Sequence, residues 1–366
     1  MVVKEHLNAL PVKTYRWLKV NELTLSEPLH IPLQPYNKDF LSFTQISGLD
    51  AQPILAVALK DRLGVDHSPY GVSGELVSLS ETQPNAGVQV YAAPGVKSSE
   101  PIVARYQMDR DNPVVNDHNV VFADEGSSVT VVFYYSSTAD NTVHNGTLKV
   151  YARPGAEVNI VKIQQMDHGA HHFDSTVTYV DQDAKVNFVH VELGAALTAV
   201  NYSGQIGDRA ELNIHGAYFG DGTQQLDLNY LADHRGVGSI SNIFVHGALK
   251  DRAKKIFRGT IDLKRGARQS KGSEIESVLL LDETVRSIAV PLLLAGEDDV
   301  EGEHAATSGK VDEEKIHYLM TRGLSRGQAT QLLVEAAFQP VIDALPGKEW
   351  KSAVTADLER RLSDGV

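Results

Sequence analysis

The sequence predicts a mainly β fold of the solenoid type, and three features carry that prediction. Short segments alternate apolar and polar residues from about residue 84 onward. Their starts recur at a near-constant spacing. Helical periodicity is confined to the chain after about residue 311.

The alternation is plain in the segments 87–91, 129–133, 148–151, 158–163 and 186–191. Apolar residues at every second position turn one face of a strand inward and the other outward. The recurrence lies in the strand starts Ser127-Ser128-Val129, Ala156-Glu157-Val158, Ala184-Lys185-Val186 and Ala210-Glu211-Leu212. The apolar positions Val129, Val158, Val186 and Leu212 are 26 to 29 residues apart. Ile240 continues the series, and Gly266-Ala267-Arg268 supplies a degenerate further turn. Such a period means one supersecondary unit per repeat, stacked on its neighbours. Two or three short strands per unit with almost no helix signal favour a parallel β-helix. An antiparallel sandwich, which also gives short strands and regular turns, is the alternative. In the β-helix, Val158, Ile160, Val186, Phe188, Leu212 and Ile214 point inward, since a slip of one residue would expose them all.

Residues 1–83 carry mixed signals. Pro11, Pro28, Pro32 and Pro35 break the first part, and Ala51 to Leu63 has the pattern of a short helix. This reads as a small α/β cap, which a solenoid needs because its terminal rungs expose unpaired edges and apolar core. Residues 84–310 form the repetitive body and 311–366 a helical region. In that region Glu313 to Arg322 carries Ile316, Leu319 and Met320 at helical spacing, with Gly323 at the C-terminal turn. Ser325 to Gln328 is a capping box opening a second helix that Pro340 ends or kinks. Trp350, Val354, Leu358 and Leu362 mark a third.

Composition sets limits on function. Hydrophobic residues make up 42% of the chain, enough for a sizeable core. The net charge of −13 argues against nucleic-acid binding. There is no cysteine, so the chain offers no disulfide, no thiol nucleophile and no thiolate for zinc or an iron–sulfur cluster. No apolar run approaches the roughly 18 to 20 residues that span a bilayer, so no membrane association is expected. The start, Met1 to His6, lacks the apolar stretch of a secretory signal, and a cytoplasmic setting is expected.

Few motifs offer chemistry. The segment from Gly302 to Lys310 superficially resembles a phosphate-binding loop, but His304 and Val311 stand where glycine and Ser/Thr are required. Gly236-Val237-Gly238 lacks the third glycine and the βαβ context of a dinucleotide site. His168, His171 and His172 offer a metal cluster or a solvated turn. His190, His215 and His246 recur late in repeat strands, as a stacked ladder or as structural histidines. Gly296 to His304 crowds carboxylates around one imidazole, a donor set that suits iron, manganese or magnesium if it is not simply a solvated acidic loop. The basic stretch from Lys250 to Lys271 reads as a solvated face of the solenoid, with Phe257 as its lone aromatic residue.

The C-terminal third resembles the SufB/SufD family. The resemblance rests on Val278 to Leu281, Val290 to Leu294, Asp299-Val300 followed by His304, Ala306 and Thr307, and Tyr318-Leu319 followed by Arg322-Gly323. These follow the family's order of leucine strand, proline–leucine strand, histidine turn and helix end over about fifty residues. Lys13 to Trp17 weakly resembles an early family segment. The resemblance implies a right-handed parallel β-helix and a non-catalytic scaffold subunit of the SUF iron–sulfur cluster assembly complex. It implies that a SufB-like subunit pairs with this chain, and that a SufC-like ABC-type ATPase docks on the C-terminal helical region, through a polar face containing Arg322, Arg326 and Gln328. The missing cysteine points to the SufD side of the family. His304 is then the residue that faces the partner's cysteine and acts as a metal ligand, with Glu303 beside it at the cluster-assembly interface. Glu303 itself is SufB-like, which leaves a homodimer of the isolated chain open. No resident cofactor is implied, only a transient iron or iron–sulfur cluster at the interface with SufB. A β-helix carbohydrate-active enzyme and a purely structural homo-oligomer are the competing readings.

Overall fold

A computed structural model describes residues 2–3, 6–14, 16–25, 28–54 and 69–363. The body is a parallel β-solenoid of two sheets. The first sheet stacks, in order, Leu41–Ser42, Ile102–Met108, Ser128–Ser137, Glu157–Gln165, Lys185–Glu192, Glu211–Gly220, Ile240–Leu249, Ser270–Leu280 and Val300–Lys310. The second stacks Leu49–Pro53, Val88–Ala92, Val114–Ala123, Val143–Ala152, His171–Val180, Leu197–Ile206, Gln225–His234, Lys254–Leu263 and Arg286–Ala295. The chain alternates between the sheets, so each rung contributes one strand to each. All pairings are parallel except at the first end, where Leu41–Ser42 and Leu49–Pro53 pair antiparallel.

The repeat works because six successive returns from the second sheet to the first, those into Ser128, Glu157, Lys185, Glu211, Ile240 and Ser270, use the same turn. A residue with positive φ precedes a small, fully buried one. The φ values are 63° at Gly126, 67° at Gly155, 58° at Asp183, 52° at Arg209, 66° at Gly238 and 99° at Gly266. The buried residues that follow are Ser127, Ala156, Ala184, Ala210, Ser239 and Ala267. Glycine adopts this backbone freely, whereas a left-handed Arg209 is strained and is held there by its turn. The strand register follows: Val129, Val158, Val186 and Leu212 are successive neighbours. Ile240, which the spacing places next, instead pairs with Glu211 and is exposed; Ser241 takes the position beside Leu212. The turn before it is a residue longer, and counting from the previous strand misses that. Val158, Ile160, Val186, Phe188, Leu212 and Ile214 all lie in the main core.

The N-terminal segment does more than cover one end. Residues 28–54 pack at the first rungs, with Phe40 and Tyr36 against Tyr106. Residues 6–14 and 16–25 and helix α1 (Gly74–Thr82) run along the outer face of the second sheet. Leu7, Val72, Leu76 and Leu79 pack on Val114, Val143, Phe173 and Ala199. Further along, Leu10 and Val20 pack on Val290. The buried Asn8 is the central tie: its Nδ2 donates to Val200 O at 2.9 Å and to Asp227 Oδ1 at 2.8 Å, and its Oδ1 accepts from Asn201 Nδ2 at 3.0 Å. The segment is thus a lateral strap as well as an end cap. Of the helix expected over Ala51 to Leu63, Ala51 to Pro53 is strand, and 55–63 lies outside the described residues.

Three C-terminal helices follow the last strand. α2 spans Glu313–Thr321 and is capped by Asp312. α3 spans Arg326–Ala344 behind the Ser325–Gln328 capping box and runs through Pro340 without ending there. α4 spans Gly347–Ser363. Val334, Phe338 and Val341 of α3 and Trp350, Val354 and Leu358 of α4 bury the outer face of the first sheet over Val132, Val161, Val189 and Ala248. The first sheet is therefore covered on both faces in its middle rungs, which explains its unbroken apolar runs. Among the described residues no helix is long and apolar enough to cross a membrane.

Replacing Asn8 by Ala leaves Asp227, Asn201 and the Val200 carbonyl short of a partner and places a β-carbon residue without a local hydrogen bond at φ 55°. Asn8→Ala should lower stability by about 2–4 kcal/mol in urea unfolding while leaving the β-type circular dichroism unchanged.

Candidate functional site at the open end of the solenoid

The two ends of the solenoid differ. The first is covered by residues 28–54, whereas among the described residues the last strand of the first sheet, Val300–Lys310, pairs only with Ser270–Leu280 and leaves its outer edge free. Nearly all of its residues are exposed. The segment read as an acidic loop and histidine turn is therefore partly strand: Val300 to His304 belongs to the terminal rung.

Being a strand separates residues that a loop would gather. In the preceding rung the buried positions are Ser270, Gly272, Glu274, Glu276 and Val278. Their register partners are Val300, Gly302, His304, Ala306 and Ser308. His304 thus occupies an inward position of the last rung, over the mouth of the solenoid. Glu301 and Glu303 fall on the opposite face, where Glu303 Oε1 accepts from Ser273 Oγ at 2.8 Å and Glu301 pairs with Lys271 at 3.0 Å. Glu303 and His304 cannot hold one ion together from adjacent positions of a strand. Across the mouth, in the last strand of the second sheet, lie Pro291 and Leu293; a β-carbon on Gly302 would meet Leu293 Cδ1 at 2.6 Å.

Below the mouth the interior is unexpectedly polar. Lys162 Nζ donates to both oxygens of Asp174, at 2.6 and 2.7 Å, and to Thr176. Lys255 Nζ lies 2.6 Å from Glu276 Oε1, which also accepts from Tyr218 at 2.8 Å. His144 bridges Asp117 Oδ1 at 2.6 Å and His172 Nδ1 at 2.8 Å. Burial pushes Asp117 up to about 7 and His144 down to about 3, so this contact is a hydrogen bond with a neutral imidazole rather than an ion pair. His190 is likewise pushed down by burial, to about 3, and meets the Tyr230 hydroxyl at 2.9 Å. Glu274 stands apart. It is fully buried, neither carboxyl oxygen has a hydrogen-bond partner, and burial, then the charge of Glu276, pushes it up to about 8. The space it fills is provided by Gly259 opposite, where a β-carbon would sit 2.2 Å from the Glu274 Cδ.

Other candidate clusters disperse. His172 points into the core, His171 is half-buried beside Phe173, and His168 sits in a turn near Asp221. His190 is inward, whereas His215 pairs in register with Val189 and Phe244, so the histidines form no ladder. Among the described residues no three His, Asp or Glu side chains converge as a metal cage. Within the basic stretch, Lys255 and Arg258 are buried rather than solvated; Arg258 donates to Asp227 and to Val20 O of the strap. Of the residues expected to dock an ATPase, Arg326 is paired with Glu313 at 2.6 Å, Gln328 closes the capping box, and Arg322 stacks on Tyr318 at 5.2 Å. Tyr318, Met320 and Leu332 add exposed apolar surface to the same helices.

A two-sheet parallel solenoid with a lateral strap and one uncovered end defines the class of β-solenoid proteins. The family model described as SUF system FeS cluster assembly, SufBD core domain, matches residues 106–337, and the chain belongs to the SufB/SufD family. It is SufD-like. It is 28% identical over 315 residues to the iron-sulfur cluster assembly protein SufD of Bacillus subtilis (strain 168), covering 83% of this chain and 69% of that one. It is 25% identical over 276 residues to an iron-sulfur cluster assembly SufBD family protein of Staphylococcus epidermidis, covering 74% and 59%. A SufBD family protein of Mycobacterium leprae is 27% identical over 263 residues, covering 70% and 30%. The match thus spans well under two thirds of several of these relatives.

The unpartnered Glu274 gives stability a pH dependence of definite sign. Its value is raised from 4.5 to about 8, so between those values the folded state holds a proton that the unfolded chain has lost. The cost of removing that proton is absent below the lower value, and stability falls as pH rises through the window. Glu274→Gln removes this term. The stability of the variant relative to the parent should rise with pH across the window, by up to about 1.4 kcal/mol per pH unit, in urea unfolding at matched ionic strength. A pH-independent difference would mean that Glu274 titrates normally.

Proposed function

We propose that this chain is a cytoplasmic, non-catalytic SufD-type scaffold subunit that pairs with a SufB-type subunit through the open end of its solenoid. The observation that carries the reading is the terminal rung: an uncovered strand edge, an inward-register His304 at the mouth, and a chain without cysteine. Apolar and backbone groups left open at a solenoid end call for a partner, because a free edge pairs readily with another chain. Neutral imidazole is a good ligand for iron, and the thiolates that an iron–sulfur cluster needs must come from the partner. Iron or the nascent cluster is cargo at this junction, held transiently between His304 and the partner's donors. The helices α2 and α3 carry the second contact. Their exposed Tyr318, Met320 and Leu332, together with Arg322, form a mixed apolar and basic surface suited to an ABC-type ATPase, which would bring the nucleotide chemistry that this chain lacks.

The test is His304→Ala in the complex reconstituted with its SufB- and SufC-type partners. Because His304 is exposed and makes no contact that the fold depends on, assembly and ATP hydrolysis should stay near the parent level while iron bound per complex falls severalfold. Unchanged iron content in a correctly assembled variant complex would reject His304 as a ligand. A chain that fails to form the complex at all would reject the scaffold reading.

A further inference from the structure

His304 does not stand alone at the mouth. On the face it shares, the next residue inward is Glu274, its register partner one rung below. Neighbouring parallel strands lie about 4.8 Å apart, so an imidazole and a carboxylate stacked in register reach a common ion. Buried carboxyl groups are normally paired. Glu276 holds Lys255 and Tyr218, Glu303 holds Ser273, and Glu301 holds Lys271. Lys255 also donates to Ile288 O. Among the described residues only Glu274 is a buried carboxyl group with both oxygens free of a hydrogen bond, in a niche that Gly259 leaves open for it. A group of this kind is costly to retain without a use.

We propose that Glu274 is the second ligand of a divalent-cation site at the open end, binding the ion together with His304, and that Glu303 takes no part. One carboxylate oxygen and one imidazole nitrogen suit a first-row divalent ion such as iron(II), with water or a partner's donors completing its shell. Binding exchanges a proton for the metal: the Glu274 carboxylic acid gives its proton to solvent as its oxygen takes up the ion, with no change in oxidation state. Because the niche lies below the rim, the ion is seated within the mouth rather than on the outer face of the strand.

The inference rests on the assignment of His304 as the cargo-facing residue, but its test needs no partner. The full chain alone is titrated with cobalt(II), followed by visible absorption and, in two buffers of different ionisation enthalpy, by calorimetry. The parent chain should bind one ion and release about one proton from Glu274 at neutral pH. Glu274→Gln should weaken binding at least tenfold and abolish that proton release, and His304→Ala should weaken binding similarly. If the Gln variant is misfolded by circular dichroism, Glu274→Asp, which keeps the acid but withdraws it by one methylene, should show the weakening instead. Parent-like affinity in a folded Glu274 variant overturns the proposal, as does a folded parent chain that binds no cobalt at millimolar concentration. Either failure leaves complex formation with a SufB-type subunit unaffected, so the two readings are separately decided.

Discussion

Parallel register is the constraint on which the rest of this molecule depends. Each strand meets its neighbours residue for residue, so one choice of turn decides, for every later rung, which side chains face the interior. The left-handed residue followed by a small buried one makes that choice again at six successive returns to the first sheet. An inserted residue is absorbed in the turn, as before Ser239, and the inward set is restored within the next strand. Space in the interior is shared in the same register. Gly216 leaves room for His190, and Gly247 leaves room for Tyr218.

The interior that results is not an oil-filled tube. Apolar layers alternate with charged and hydrogen-bonded groups, and the two lysines inside are each matched to a carboxylate. Removing one member of such a buried pair costs about 3–5 kcal/mol, whereas a fully exposed surface pair such as Lys310–Glu283 is screened by solvent and contributes little. The polar groups therefore fix the register strongly wherever they are satisfied. Among the described carboxyl groups Glu274 alone is buried with neither oxygen hydrogen-bonded, next to the end where the stack stops. A solenoid that is strapped along its side, capped at one end and left open at the other presents its least satisfied chemistry at that open end.

Much of this was legible in the sequence because alternation and period are local properties. Val158, Ile160, Val186 and Phe188 reveal their direction by parity alone, and the C-terminal helices announce themselves through Asp312, Ser325 and Gln328. The same parity, applied to polar residues, would have found the buried network: Lys162, His190 and Glu276 occupy inward positions in their strands. A lysine or glutamate in an alternating strand is ordinarily read as outward, and its buried partner lies on the other sheet, beyond local reach. The strap was hidden for a related reason. Asn8 is tied to Asp227 across more than two hundred residues, and no local pattern encodes such a contact. At the site, sequence proximity joined Glu303 to His304, whereas the pleat of the strand sends them to opposite faces and brings Glu274 beneath the histidine instead.

The central claim is that the Val300–Lys310 edge is where a SufB-type subunit joins. Hydrogen exchange of the full chain, alone and with that subunit, tests it most directly. Alone, the backbone amides on the free edge of this strand should exchange rapidly, while those of Ser270–Leu280 are protected. In the complex the edge amides should slow at least tenfold, with no comparable change along the strap at residues 6–25. Unchanged exchange at Val300–Lys310 in a formed complex, with new protection elsewhere on the solenoid, would contradict the account.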